Sequence, residues 1–195
     1  MFLKILSLFI LFCSADITGS AKEPGDIAED FTVNSSDGIT YNLKDAVANS
    51  ANGVVLIFWS TTCPWVQPYN DRINNYVKDL NDKGFIVWGI NSNKTESPEE
   101  VANHAKENQY IFPMLKDLNN KIADLYEATR TPEAFLIGKD MIIKYHGRIS
   151  DNRKKSEETV VDLLNAAGEI AEGREVSVKK TKQFGCTIKR VGDDN

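Results

Sequence analysis

"GVVLIFWSTTCPW", residues 53–65, is the stretch on which the fold turns. From Val54 to Trp59 the chain is apolar without a break and rich in β-branched residues. Such a run, opened by a glycine, predicts a strand covered on both faces. It gives way to three hydroxyl residues, Ser60, Thr61 and Thr62, which deliver Cys63 and Pro64 just past the strand end. The period then changes. Val66, Tyr69, Ile73, Tyr76, Val77 and Leu80 recur at three- and four-residue steps, predicting an amphipathic helix that ends at Lys83-Gly84. Pro64 suits the first helical position, and Pro68 removes one rung from the opening turn. "FIVWGIN", residues 85–91, reads as the next buried strand, so the unit favours a parallel pair.

The same reading extends in both directions. Upstream, residues 25–41 predict a hairpin that turns at Ser36-Asp37-Gly38, followed by a short helix capped by Asn42. Downstream, Ser97, Pro98 and Glu100 form a capping box at the start of a second helix. A short strand in "FPMLKD", a helix in "NNKIADLYEA" and a hairpin joining "EAFLIG" to "MIIKYHG" at Lys139-Asp140 come next. A closing amphipathic helix carries Val160, Val161, Leu163, Leu164 and Ala167. These elements predict one α/β domain over residues 22–173. Residues 174–195, which carry Cys186, have no clear period and read as a tail lying on that domain.

Composition narrows the function classes. The chain has 195 residues, 42% hydrophobic and 26% charged, as a globular protein does. Its net charge of -5 argues against a nucleic-acid partner, which would require a basic face. Residues 1–21, "MFLKILSLFILFCSADITGSA", carry Lys4, an apolar run from Ile5 to Cys13 and small residues afterwards. That is the layout of a signal peptide, with cleavage expected after Ala15 or Ala21. The run is short of the roughly twenty residues that cross a bilayer. The expected location is therefore periplasmic or secreted, with membrane association if Cys13 were lipidated, although the bulky Phe12 fits such a signal poorly. Removing the leader leaves Cys63 and Cys186, too few for a disulfide scaffold.

Cys63 falls between a central strand and the start of a helix. Unpaired amides and the positive end of a helix dipole favour a thiolate there, and the thiolate is the nucleophile. The alternative is a small, inert core residue at a strand end. Position alone leaves both open.

Several segments together tip the balance. "FWSTTCP", "TRTPEAFLI", "GDIAEDF", "INSN", "FPMLKD", "YHGRISDN" and the late "FGCTIK" run in order from about Gly25 to Lys189. Their order and spacing resemble the thioredoxin fold and, within it, the alkyl hydroperoxide reductase/thiol-specific antioxidant (peroxiredoxin-like) family. The resemblance implies a central mixed β-sheet flanked by helices, with an N-terminal hairpin extension. It implies a thiol oxidoreductase acting through Cys63 on a peroxide or a protein disulfide, with an external thiol as reductant. Cys186 is the only internal thiol available to reset Cys63, or else an anchor for the tail. By the same resemblance Pro132 is a cis-proline opposite the cysteine. Ser60, Thr62, Trp65, Thr131 and Pro132 form the substrate side of the site.

The chain also departs from its relatives' pattern. The second cysteine of a C-x-x-C pair would stand at Val66, so a dithiol working through that pair is excluded. Leu56 occupies the place of a proline that precedes the peroxidatic cysteine in the family, and Ser60 that of a threonine. Arg130, at shifted register, is the candidate for the arginine that holds the cysteine and peroxide. No cofactor or metal is expected, since His104 and His146 lie far apart and have no ligand spacing. The rival reading is a non-catalytic thioredoxin-fold binding module whose cysteines are inert or locked.

Overall fold

The computed structural model describes residues 22–35 and 38–192. The expected leader and its cleavage sites lie outside the described residues, as do Ser36 and Asp37 of the expected turn. In chain order the elements are β1 (Thr32–Asn34), β2 (Thr40–Asn42), α1 (Leu43–Asn49), β3 (Gly53–Phe58), α2 (Ile73–Asp82) and β4 (Phe85–Asn91). They continue with α3 (Pro98–Glu107), β5 (Met114–Lys116), α4 (Lys121–Leu125), β6 (Arg130–Thr131), β7 (Glu133–Gly138), β8 (Ile143–Gly147), α5 (Asp162–Ala171) and β9 (Cys186–Thr187).

The apolar run is the middle of the molecule. β3 is buried at every position and lies third in a five-stranded sheet of order β5-β4-β3-β7-β8. It runs parallel to β4, with Val55 opposite Val87, and antiparallel to β7, with Val55 opposite Leu136. The sheet is therefore mixed. Alternate β3 residues serve opposite layers, as the two-residue period of a strand requires. Val55 and Ile57 pack with Ile73, Val77 and Leu80 of α2 and Leu163 and Ala167 of α5. Val54, Leu56 and Phe58 pack with Leu43 and Val47 of α1 and Ile122 and Ala123 of α4. Gly53 opens the strand because its φ is +134° and an added Cβ would lie 1.9 Å from the Ile137 carbonyl oxygen. Among the described residues, no helix is long and apolar enough to cross a membrane.

Two helix boundaries differ from the periodicity reading. α2 begins at Ile73, and residues 64–72 are turns around one 3-10 turn, Gln67–Tyr69. The prolines explain this. Pro68 has no N–H to give the Pro64 carbonyl, so the rung that would start an α-helix is missing. The Pro64 carbonyl instead accepts from Arg153 Nη1 at 3.2 Å, and that of Pro68 from Arg72 Nη1 at 3.3 Å. At the other end, α5 starts at Asp162, leaving Val160 outside it and exposed. Asp162 lies in the first turn, where the helix dipole favours a carboxylate, and pairs with Arg148 at 2.7 Å.

The tail is held at many points. Val176 and Ile188 are buried in the two core layers. Between them Thr181 bonds to the His146 backbone, and Cys186–Thr187 pairs antiparallel with Arg130–Thr131. Beyond Cys186, Ile188 N–H donates to the Thr129 carbonyl at 2.9 Å and Lys189 N–H to Asn93 Oδ1 at 2.9 Å.

Candidate active site

The loop that carries Cys63 is built around one buried carboxylate. Glu96 accepts from Ser60 Oγ (2.6 Å), Thr61 N–H and Oγ1 (both 2.8 Å), Thr62 Oγ1 (3.0 Å), Asn91 Nδ2 (2.6 Å) and Asn93 Nδ2 (2.8 Å). The three hydroxyl residues at the end of β3 are thus gathered onto a single side chain from the β4–α3 loop. Ser60 and Thr62, expected on the substrate side, direct their hydroxyls at Glu96. Burial opposes the Glu96 charge, but the donors outweigh it and lower its pKa to about 2. Because the folded value lies below the unfolded one, Glu96 contributes its full stabilisation above the ordinary carboxylate range. That contribution, on the order of 2 kcal/mol, is lost as pH falls from about 4.5 towards 2. Thermal melts across that window should show Glu96→Gln converging on wild type at the acid end; a constant gap would rule this role out.

Cys63 itself is 2% exposed. Its Sγ donates to the Thr131 carbonyl at 3.3 Å, and its own carbonyl accepts from the Val66 and Gln67 amides. The expectation of a sulfur at a helix N-terminus is corrected here. No α-helix starts at the thiol, and the amide of this turn that reaches a sulfur, Trp65 N–H, points at Cys186. Cys186 is a free, half-buried thiol beside Cys63, placed there by the pairing of β9 with β6, in which Cys186 faces Thr131. The pKa of Cys186 is raised to about 11 by burial first, then by a hydrogen bond to Cys63 and the charge of that residue; the Trp65 amide and Lys189 pull the other way. Cys186 therefore keeps its proton at neutral pH. The fold holds Cys186 there, since β9 is anchored on both sides.

The peptide between Thr131 and Pro132 is cis, and Thr131 is buried with its Oγ1 lacking a described partner. Arg130, expected to hold peroxide, donates from Nη1 to the Gly185 carbonyl at 3.0 Å, so its described bond is to the tail. Trp65 is exposed over a groove that Pro132 also lines. Trp59 is wholly buried, as core packing required. A second buried carboxylate escaped sequence reasoning altogether. Glu133 Oε2 accepts from the Thr129 and Arg130 amides, both at 2.9 Å, which fixes β6. Its Oε1 meets His146 Nε2 at 2.6 Å and Gln183 Nε2 at 3.0 Å, tying β6 to β8 and to the tail. His104, by contrast, pairs with Tyr110 at 3.1 Å. Nothing in the spacing of Glu96 or Glu133 marks them as special; the asparagines flanking the loop before Glu96 are the one local hint.

The chain is similar to known proteins over most of its length. The AhpC/TSA family matches residues 24–146. Thiol-disulfide oxidoreductase ResA of Bacillus subtilis (strain 168) is 26% identical over 145 residues, 70% of this chain and 78% of that protein. The structure of an uncharacterized conserved protein from Geobacillus kaustophilus aligns with a TM-score of 0.80 at 28% identity, covering 88% of this chain and 94% of that one. A hypothetical protein from Sinorhizobium meliloti 1021 aligns with a TM-score of 0.78 at 28% identity, covering 88% and 99%. With the thioredoxin-like sheet, the cysteine after its central strand and a family match spanning most of the domain, the chain belongs to the AhpC/TSA family of thiol-dependent oxidoreductases.

Proposed function

We propose that the protein reduces a small peroxide through a dithiol cycle in which Cys63 is oxidised first and Cys186 resolves it. The observation that carries this reading is the adjacency of the two free thiols, which β6–β9 pairing brings together although they stand 123 positions apart in the sequence, the difference between 186 and 63. The Cys63 thiolate attacks one peroxide oxygen, the O–O bond breaks, and an alcohol or water leaves after taking a proton. The sulfenic acid on Cys63 is then attacked by Cys186; a disulfide forms and water leaves.

Access separates peroxide from protein disulfide as the oxidant. A sulfur only 2% exposed behind a neighbouring residue admits a molecule of a few atoms far more readily than a disulfide carried on a second protein. Cys186 is the more open sulfur, but burial and the neighbouring Cys63 raise its pKa to about 11, which disfavours its thiolate while Cys63 is reduced. Disulfide exchange, favoured by the similarity to ResA, is the second reading. Ser60, Thr62 and Glu96 act as positioning residues for the Cys63 loop, and Arg130 as one for β9. The signal-like residues 1–21 support work outside the cytoplasm.

The deciding experiment is one equivalent of hydrogen peroxide added to the reduced protein, followed by peptide mass analysis. A product lacking two hydrogens, with residues 63 and 186 cross-linked, is expected within seconds to minutes. A Cys63 sulfenic or sulfinic acid with Cys186 still free refutes the resolving role. No reaction with peroxide, but rapid oxidation by a protein disulfide, selects the second reading.

A further inference from the structure

A groove of about 280 Å³ is lined by Trp65 and Pro132, sequence neighbours of Cys63 and of its partner Thr131. Trp65, Pro132, Phe184, Arg148 and Arg153 are among its walls. Two of these are tied to Cys186, because the Trp65 amide points at its sulfur and Phe184 lies two residues before it. The Trp65 and Phe184 rings are 39% and 40% exposed and nearly parallel, with centroids 6.4 Å apart. Large exposed rings grouped beside reactive chemistry mark a contact surface better than scattered surface aromatics do. Guanidinium groups flank both: Arg153 lies 4.5 Å over Trp65 and Arg148 5.9 Å from Phe184.

The charges here are not equivalent. Arg148 is neutralised by Asp162, and Lys154, at the groove edge, by Glu157. Arg153 donates to the Pro64 carbonyl and forms no ion pair within 4 Å among the described residues, although Asp151 and Glu157 also line the groove and Glu157 feels its charge. Arg153 is thus the groove cation least neutralised by a direct partner.

Resting on the dithiol reading, we infer that this groove seats a low-mass thiol bearing a carboxylate, which reduces the Cys63–Cys186 disulfide by attacking Cys186. The carboxylate lies against Arg153, and the carbon skeleton against Trp65 and Phe184. Cys186 is the point of attack because it is half-buried where Cys63 is sealed. The incoming thiolate forms a bond to Cys186 Sγ, and the Cys63–Cys186 bond breaks with its electron pair on Cys63. A second thiolate then attacks the external sulfur of the mixed disulfide and releases Cys186, which takes up a proton. Two external thiols become one disulfide, supplying the two electrons that restore the dithiol.

Two measurements test this. In the first, the oxidised protein is reduced by 3-mercaptopropionate, 2-mercaptoethanol and cysteamine, with rates compared per thiolate. Nucleophilicity per thiolate already rises with thiol pKa, so the readout is each rate ratio in wild type divided by the same ratio in Arg153→Ala. The carboxylate-to-neutral ratio should be about two- to fivefold larger in wild type and the amine-to-neutral ratio smaller, the scale of one partly exposed charge pair. Arg153→Lys should keep most of that difference, and Arg153→Glu should reverse it. Ratios unchanged by Arg153→Ala overturn the proposal. In the second, the reduced protein is titrated with 3-(methylthio)propanoate, which cannot exchange, while tryptophan fluorescence is followed. A saturable change lost in Trp65→Phe and in Arg153→Ala supports the groove, whereas a change that never saturates refutes it. Because this second arm needs no disulfide, it judges the groove even if the peroxide experiment fails.

Discussion

Cys63→Ser abolishes peroxide consumption, by at least about a thousandfold, the scale on which removal of a nucleophile acts. The serine hydroxyl fits the same space, so the fold persists, but it has no accessible anion at neutral pH. Cys186→Ser is expected to fail differently. Its first equivalent of peroxide is consumed at close to the wild-type rate, because Cys63 still reacts. The sulfenic acid then has no internal thiol to meet, so excess peroxide drives it to sulfinic acid and turnover stops. Stopped-flow peroxide loss separates the two variants, and mass analysis identifies the oxidised species. Sustained wild-type turnover by Cys186→Ser with peroxide and a small thiol would remove Cys186 from the cycle. The pair also leaves a titration signature. Cys63→Ala deletes the hydrogen bond and charge that raise the Cys186 pKa while leaving burial in place. Alkylation of Cys186 below its wild-type value of about 11 should therefore speed up in that variant.

Gly185→Ala is expected to uncouple the two sulfurs without touching either. Gly185 has φ of +156°, and a Cβ there would lie 2.0 Å from the Thr131 carbonyl oxygen and 2.7 Å from its carbon. No rotamer relieves a clash between a Cβ and backbone, so β9 must move away from β6. The cost is about 1–3 kcal/mol if the whole tail stays down, and less if the tail lifts locally. Either outcome displaces Cys186 from Cys63. Disulfide formation after peroxide should slow by at least tenfold while sulfenic acid accumulates. Gly173→Ala is the control: its φ is +73°, but nothing lies within 4 Å of the added Cβ, so only local strain of about 1 kcal/mol is expected. Wild-type kinetics and melting in Gly185→Ala would show that the close approach at Thr131 has no role in seating the thiol.

The layout of the site was legible where local chemistry encodes it. The shift from an unbroken apolar run to a three- and four-residue period marks the end of β3 and the helix beyond it. Cys63 could be placed at that junction from sequence. The helix start was misplaced because periodicity continues through residues 64–72, where Val66, Tyr69 and Arg72 are buried at three-residue steps. Hydrogen bonding there is broken by Pro68, so side-chain pattern and backbone ladder part company. Glu96 and Glu133 were invisible for another reason. A carboxylate reads as surface unless its donors are known, and those donors come from separate loops and strands.

The sequence by itself determined the architecture and the presence of a cysteine just past the central strand, because strand and helix periods are short-range properties of the chain. Only the tertiary structure decided that Cys63 is the sealed sulfur and Cys186 the accessible one. That division depends on how the tail docks. Ile188 is buried in one core layer, Gly185 closes on Thr131, and the two-residue β9 adds to the edge of β6. Contacts between residues so far apart in the chain leave no local pattern to read, since their free energy exists only once both sides have folded.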